Sequence, residues 1–213
     1  MRTALFTLFV CALTVTAAAQ KPVSGVFLYK ATISLPDTNV VLKSWNVRVY
    51  TNDTIVRVET ETPQMGQQVY IRHMSLDKAY LLIGYDGKNY AIQTDLSENK
   101  TVDTVPPQYT IKRKFGSKKV AGYKSKKYYV LDKGQTEGYY CYFAKKIDGK
   151  YLEVYPEVPK LAVDYYLPSQ EGLIRYELVS FTPEILSRDL FGIPSDFKRI
   201  TFEEFINLFS GGE

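Results

Sequence analysis

His73 is the one imidazole in this 213-residue chain, and a Ser-His-Asp relay would have to recruit Ser75 and Asp77 beside it. Such a relay needs a nucleophile on a sharp strand-to-helix turn, and Ser75 two residues further along a strand end supplies no such turn. Zinc asks for three or four nitrogen or sulfur ligands, and His73 with two cysteines, Cys11 and Cys141, is the whole supply. No D-x-D-x-D-G calcium loop occurs, and Asp86-Gly87 reads as a hairpin turn. Glu59 and Glu61 share one strand face with Arg57, and Glu203 and Glu204 sit together at a helix start. A glycosidase would place its two acids on separate elements across a cleft. The glycines are scattered as turn punctuation, with no phosphate-cradling loop. These residues predict no catalytic group, no metal ligand, no cofactor and no enzyme.

The densest chemistry is basic. Lys112, Arg113, Lys114, Lys118, Lys119, Lys124, Lys126 and Lys127 follow one another with no acid among them, although the whole chain carries only +4. Tyr109, Phe115, Tyr123, Tyr128 and Tyr129 are interleaved. Cations with rings are the pattern of single-stranded nucleic-acid binding. An exported chain meets other anions, and an anionic headgroup, a glycan or an acidic envelope protein fits that address better. Solvated lysines that guard edge strands fit the pattern equally.

Export is read from the first nineteen residues. Arg2 precedes an apolar run from Ala4 to Val15, and Ala17-Ala18-Ala19 forms an A-x-A cleavage site before Gln20. Residues 1–19 therefore read as a signal peptide and 20–213 as a single β-rich domain, periplasmic or extracellular. No later apolar run approaches membrane length, so the mature chain is not expected to span a bilayer. Cleavage removes Cys11 and leaves Cys141 without a disulfide partner; in Gly138-Tyr-Tyr-Cys-Tyr-Phe-Ala144 it reads as a buried small hydrophobe.

The elements that must position these residues are strands. Phe27, Tyr29, Ala31, Ile33 and Leu35 alternate with more polar neighbours, and Trp45, Val47 and Val49 do the same from Val40 to Thr51. Asn52-Asp53 turns that strand into Thr54 to Thr62. Val69–Met74, Ala79–Tyr85, Asn89–Thr94, Tyr109–Phe115, Tyr123–Leu131, Gly138–Lys145, Tyr151–Tyr155 and Leu173–Phe181 continue the series, with short connections that favour antiparallel pairing. Residues 95–108 read as a surface loop. Thr201-Phe-Glu-Glu204 is a capping box ahead of Phe205, Ile206, Leu208 and Phe209, predicting a short C-terminal helix; Pro183–Phe191 is a second short helical candidate.

Tyr139-Tyr-Cys-Tyr-Phe143 is aromatic on both strand parities, so both sheet faces there need cover. Either a helix or loop packs on the second face, with Phe202, Phe205 and Phe209 available, or the sheet curves around an apolar ligand. In the second case Trp45, Tyr128 and Tyr140 are the rings expected to line the site.

Val120-Ala-Gly-Tyr-Lys-Ser-Lys-Lys-Tyr128 resembles the "GYKCKKY" strand signature of exported bacterial families of the GLPGLI type, grouped with the periplasmic lipoprotein-carrier (LolA-like) superfamily. Val56-Arg57-Val58-Glu59, Leu76-Asp77-Lys78-Ala79-Tyr80 with Tyr90, and Phe191-Gly-Ile-Pro-Ser-Asp-Phe197 follow the same order. Ser125 stands where many relatives carry Cys. The resemblance implies a mainly β fold, a curved antiparallel sheet or half-open barrel with helical cover, whose concave face in the carriers accepts acyl chains. It leads to one functional expectation, a non-enzymatic exported protein holding an apolar or lipid-like ligand in that concavity. The alternative is a cell-envelope interaction or assembly module with a filled core and the basic segment as its docking face.

Overall fold

The computed structural model describes residues 23–35, 40–62, 66–85, 87–95 and 109–210. The leader read at 1–19 and Asp86 lie outside them, as does the loop read at 95–108 except Asp95, which is the last residue of a strand. Among the described residues twelve strands form one sheet: β1 (Ser24–Ser34), β2 (Val41–Asn52), β3 (Ile55–Thr62), β4 (Gly66–His73), β5 (Lys78–Tyr85), β6 (Lys88–Asp95), β7 (Tyr109–Val120), β8 (Tyr123–Asp132), β9 (Tyr139–Ala144), β10 (Ala162–Ser169), β11 (Gly172–Pro183) and β12 (Lys198–Thr201). Their order is β12-β6-β5-β4-β3-β2-β1-β11-β10-β9-β8-β7. Two antiparallel meanders, β1–β6 and β7–β11, are thus joined where β1 pairs with β11. The sheet is curved and open, as the sequence predicts.

Directly opposed residues of paired strands share a face. Phe27 faces Val49, Val49 faces Val58, and the file continues through Tyr70, Leu81 and Ile92 to Ile200 on β12. In the other direction Phe27 meets Phe181, the rings stacked with centroids 4.4 Å apart. This core face also carries Tyr29, Ala31, Val130, Cys141 and Phe143, all fully or nearly fully buried.

The sequence predicts a strand at Tyr151–Tyr155, and the structure replaces it with an irregular segment. Residues 145–161, between β9 and β10, cross the core face, and Ile147, Tyr151, Tyr155, Val158 and Leu161 are buried in the same cluster as Phe27 and Phe143. The reason is local. Asp148 caps a 3-10 turn over Gly149–Tyr151, its carboxylate accepting from the Lys150 amide at 2.9 Å. A Cβ on Gly149 would lie 2.9 Å from the Lys160 nitrogen, so only glycine permits this close return. Pro156 and Pro159 lack the amide hydrogens a ladder needs.

Hydrogen bonds from buried phenols fix the segment. Tyr29 Oη donates to the Ala162 carbonyl at 2.8 Å and Tyr155 Oη to the Tyr166 carbonyl at 2.5 Å. Tyr151 Oη donates to Asp53 Oδ1 at 2.5 Å, and Lys150 pairs with the same oxygen at 2.7 Å. Burial opposes ionisation of Asp53, yet the bonds from Lys150 and Tyr151 outweigh it and hold the carboxyl below its ordinary value. Arg72 on β4 bonds Glu153 and the Lys150 carbonyl.

β3–β6 carries an apolar cluster on each face. Val69, Ile71, Leu82 and Ala91 point away from the core face and are closed by Ile193 and Phe197 of the chain after β11. That chain contains a 3-10 turn, Arg188–Phe191, where the sequence predicts a short helix over Pro183–Phe191; β11 itself runs on to Pro183. On the core face, Tyr90, Ile92 and Ile200 are closed by Phe205 of α1 (Phe202–Ser210). The capping box forms as read: Glu204 N donates to Thr201 Oγ1 at 3.1 Å, and Thr201 N donates to Glu204 Oε2 at 2.6 Å. Two strands have no counterpart in the sequence pattern: β10, and β12, which pairs parallel to β6.

Leu161 is fully buried and Ile185 is 97% exposed. Leu161→Ala should therefore lower the unfolding free energy by about 2–5 kcal/mol. Ile185→Ala should stay within about 0.5 kcal/mol, both read from urea unfolding.

Candidate functional site

Of the residues weighed for catalysis, His73, Glu59 and Glu204 have structural partners. His73 ends β4 with its ring edge-on to Tyr80, centroids 6.5 Å apart, and Ser75 and Asp77 lie in the turn to β5. Glu59 accepts from Arg57 Nε at 2.7 Å and from Tyr50 Oη at 3.1 Å. Among the described residues, no three His, Cys, Asp or Glu side chains gather into a group that could hold a metal ion. Cys141 is a free, fully buried thiol, and burial pushes its pKa up to about 12.

Trp45, Tyr128 and Tyr140 do not converge. Trp45 is half-buried on the core face of β2, opposite Ala31. Tyr128 opposes Cys141 and lies edge-on to Phe143, centroids 5.0 Å apart, also on the core face but with β1, β11, β10 and β9 between it and Trp45's strand. Tyr140 opposes Tyr129 on the other face. Both core-face rings pack against the buried cluster that contains Tyr151, Tyr155 and Leu161.

On the face opposite the core, lysine ammonium groups lie over the second set of rings, of which Tyr140 stays 46% exposed. Lys127 Nζ lies 3.5 Å from the Tyr140 ring centroid, Lys118 Nζ 4.2 Å from that of Tyr142, and Lys114 Nζ 5.6 Å from that of Tyr129. An ammonium over a ring face is attracted by the ring quadrupole while its methylene stem shields apolar surface. β7 also approaches β11. This curl brings Lys118 Nζ to 2.5 Å from Asp164 Oδ2 on β10, a carboxylate only 3% exposed. Arg175 on β11 completes the grip, with Nε 2.9 Å from Oδ1 and Nη2 3.0 Å from Oδ2, and bonding to Asp164 raises its pKa.

The remaining cations are different. Register places Arg113 opposite Tyr128, Ser117 opposite Lys126 and Lys119 opposite Lys124, so Arg113, Lys119, Lys124 and Lys126 share the core-face side of the β7–β8 edge, beyond the core itself. Among the described residues, neither these nor Lys112 has a carboxylate within ion-pair distance. Lys145, outside the run of cations read from sequence, joins them: desolvation, then repulsion from Lys124, Lys126 and Arg113, lowers its pKa. Between Arg113 and Ser117 the ladder breaks, and Lys114, Phe115 and Gly116 bulge from the edge strand, Gly116 at φ +119°. Phe115 is fully exposed.

A separate groove of about 490 Å³ lies on the other face of β3–β6, floored by Val69 and Leu82 and walled by Phe197, Arg57, Gln67 and Asn89. Asn89 Nδ2 donates to Asp196 at 2.7 Å and Arg57 Nη1 to the Leu190 carbonyl at 3.0 Å, tying the strands to the covering chain. Nothing in local sequence spacing marks it, because its walls come from distant segments.

No protein-family model and no curated relative matches the sequence. Solved structures do share the fold. An uncharacterised conserved protein from Thermus thermophilus superposes with a TM-score of 0.51 at 12% identity, over 85% of this chain and 93% of that one. PNGF-II superposes with a TM-score of 0.51 at 8% identity over 87% of this chain, which spans only 33% of that protein's length. At such identities the likeness is one of fold alone.

Because Cys141 is both buried and proton-bound, its thiol should resist iodoacetamide in the native protein at about pH 8 and be alkylated fully in the urea-unfolded chain. Labelling of the native state at the unfolded rate would contradict this placement.

Proposed function

We propose that the protein is an exported, non-enzymatic interaction module of the cell envelope that docks on an anionic partner through its β7–β8 edge. The observation that carries the reading is the group Lys112, Arg113, Lys119, Lys124, Lys126 and Lys145, gathered at one edge without carboxylate partners among the described residues. Unbalanced like charges cost stability in the isolated fold, and an anionic surface would relieve that cost. The core face beneath Trp45, Tyr29 and Tyr128 is filled by the chain's own residues 145–161, which favours docking at the edge over carriage within the sheet. Export rests on the Arg2–Ala19 leader and on the GLPGLI-type signature at 120–128.

A second reading, a protein holding an apolar or lipid-like ligand, is favoured by the groove over Val69 and Leu82. Its volume lies in the range of small-molecule sites.

The test compares two charge reversals of equal size. Lys124→Glu with Lys126→Glu should elute from an anionic matrix at much lower salt than wild type. Lys30→Glu with Lys198→Glu, on strands outside the cluster, should shift elution far less. Equal shifts would mean that net charge alone governs retention, and the docking face would fall. Retention should vanish by about 1 M salt, where the screening length is about 3 Å.

A further inference from the structure

We infer that the anionic partner is a lipid bilayer surface and that Phe115 inserts into it. This rests on the docking reading above and goes beyond it by naming the partner.

The bulge is the decisive feature. β7 carries two more residues than β8 between Arg113 and Ser117, and the excess lifts Lys114-Phe115-Gly116 off the ladder. Gly116 at φ +119° adopts a backbone state that side chains disfavour, so the sequence spends a glycine on this shape. The result is a phenyl ring fully exposed at the rim of the sheet. Of the other rings on β7–β9, Tyr109 and Tyr128 lie edge-on to neighbouring rings, Tyr129, Tyr140 and Tyr142 lie near lysine ammonium groups, and Tyr123 packs against the core.

Cations flank that ring on both sides. Arg113 and Lys126 stand on the core-face side, and Lys114, over Tyr129, stands on the other. Lys112 and Lys119 lie along the same strand. An aromatic ring at the acyl boundary with ammonium and guanidinium groups at the phosphates is the arrangement that interfacial binding rewards.

Edge protection and a soluble partner each leave part of this arrangement without a role. Lysines alone suffice to guard an edge strand, and a protruding phenylalanine would weaken that guard. A soluble partner that offers only anionic groups would pair with the cations and leave Phe115 in water. A bilayer uses both features, and each cation near an anionic leaflet adds about a fivefold gain in binding.

The experiment uses sedimentation of the exported chain with vesicles of phosphatidylcholine, with and without phosphatidylglycerol. Wild type should bind the anionic vesicles at least about tenfold more tightly than the neutral ones. Phe115→Ser should weaken vesicle binding about tenfold while leaving the unfolding midpoint and retention on an anionic matrix unchanged. Phe115→Trp should show a blue-shifted emission with anionic vesicles, read against the constant signal of Trp45. If Phe115→Ser binds vesicles as wild type does, or the new tryptophan shows no shift, the membrane inference is overturned. Matrix retention sensitive to Lys124 and Lys126 would then still support the docking face; loss of that sensitivity as well would remove both.

Discussion

The fold depends on one packing relation: residues 145–161 lie across the core face and are held there by buried phenols that find acceptors. A sheet with this many aromatic positions exposes more apolar surface than its own curvature hides, and a tyrosine is costly to bury unless its hydroxyl is bonded. Tyr29, Tyr151 and Tyr155 meet both demands, their rings in the core and their hydroxyls on the Ala162 carbonyl, Asp53 and the Tyr166 carbonyl. Among the described residues no buried side-chain nitrogen or oxygen lacks a partner. The segment is thus interior, although it has hardly any regular structure.

The opposite face solves the same problem with charge. Lysine stems lie over Tyr129, Tyr140 and Tyr142, so part of the basic cluster is cover for rings. Lys118 goes further and neutralises Asp164 together with Arg175. Sorting the cluster this way separates cations that serve the fold from those left over: Lys112, Arg113, Lys119, Lys124, Lys126 and Lys145 have no such structural work, and Arg113 and Lys126 stand at the bulge that exposes Phe115. Structure and proposed function therefore divide one run of sequence between them.

Period-two alternation makes β1 and β2 legible, because one side of each is steadily buried, and β-branched and aromatic enrichment between turn residues marks Tyr109–Phe115, Tyr123–Leu131 and Gly138–Lys145. The capping box at Thr201–Glu204 is legible because its two hydrogen bonds are local. What escapes is set by distant contacts. Tyr151–Tyr155 has strand composition, but Gly149, Pro156 and Pro159 bend it into the core. β10 is hidden because Ala162 to Tyr165 is buried at every position, which erases alternation, and four-residue β12 is too short to show any. Aromatic residues on both parities correctly signal a two-sided cover problem in β9, yet composition does not reveal that lysines are the cover. The site is legible as a run of cations, whereas its division by face, the bulge at Phe115 and the addition of Lys145 need the register.

Native-state hydrogen exchange tests the central relation most directly. The Leu161 amide donates to the Ile147 carbonyl at 3.1 Å, and the Ala144 amide donates to the Leu161 carbonyl at 2.9 Å. With the segment part of the core, both amides should exchange only through global unfolding, at the pace of the Phe27 and Tyr29 amides in β1. Fast exchange at 161 and 144 beside slow exchange in β1 would show a detachable flap over an open apolar face, and the filled-core account would be wrong.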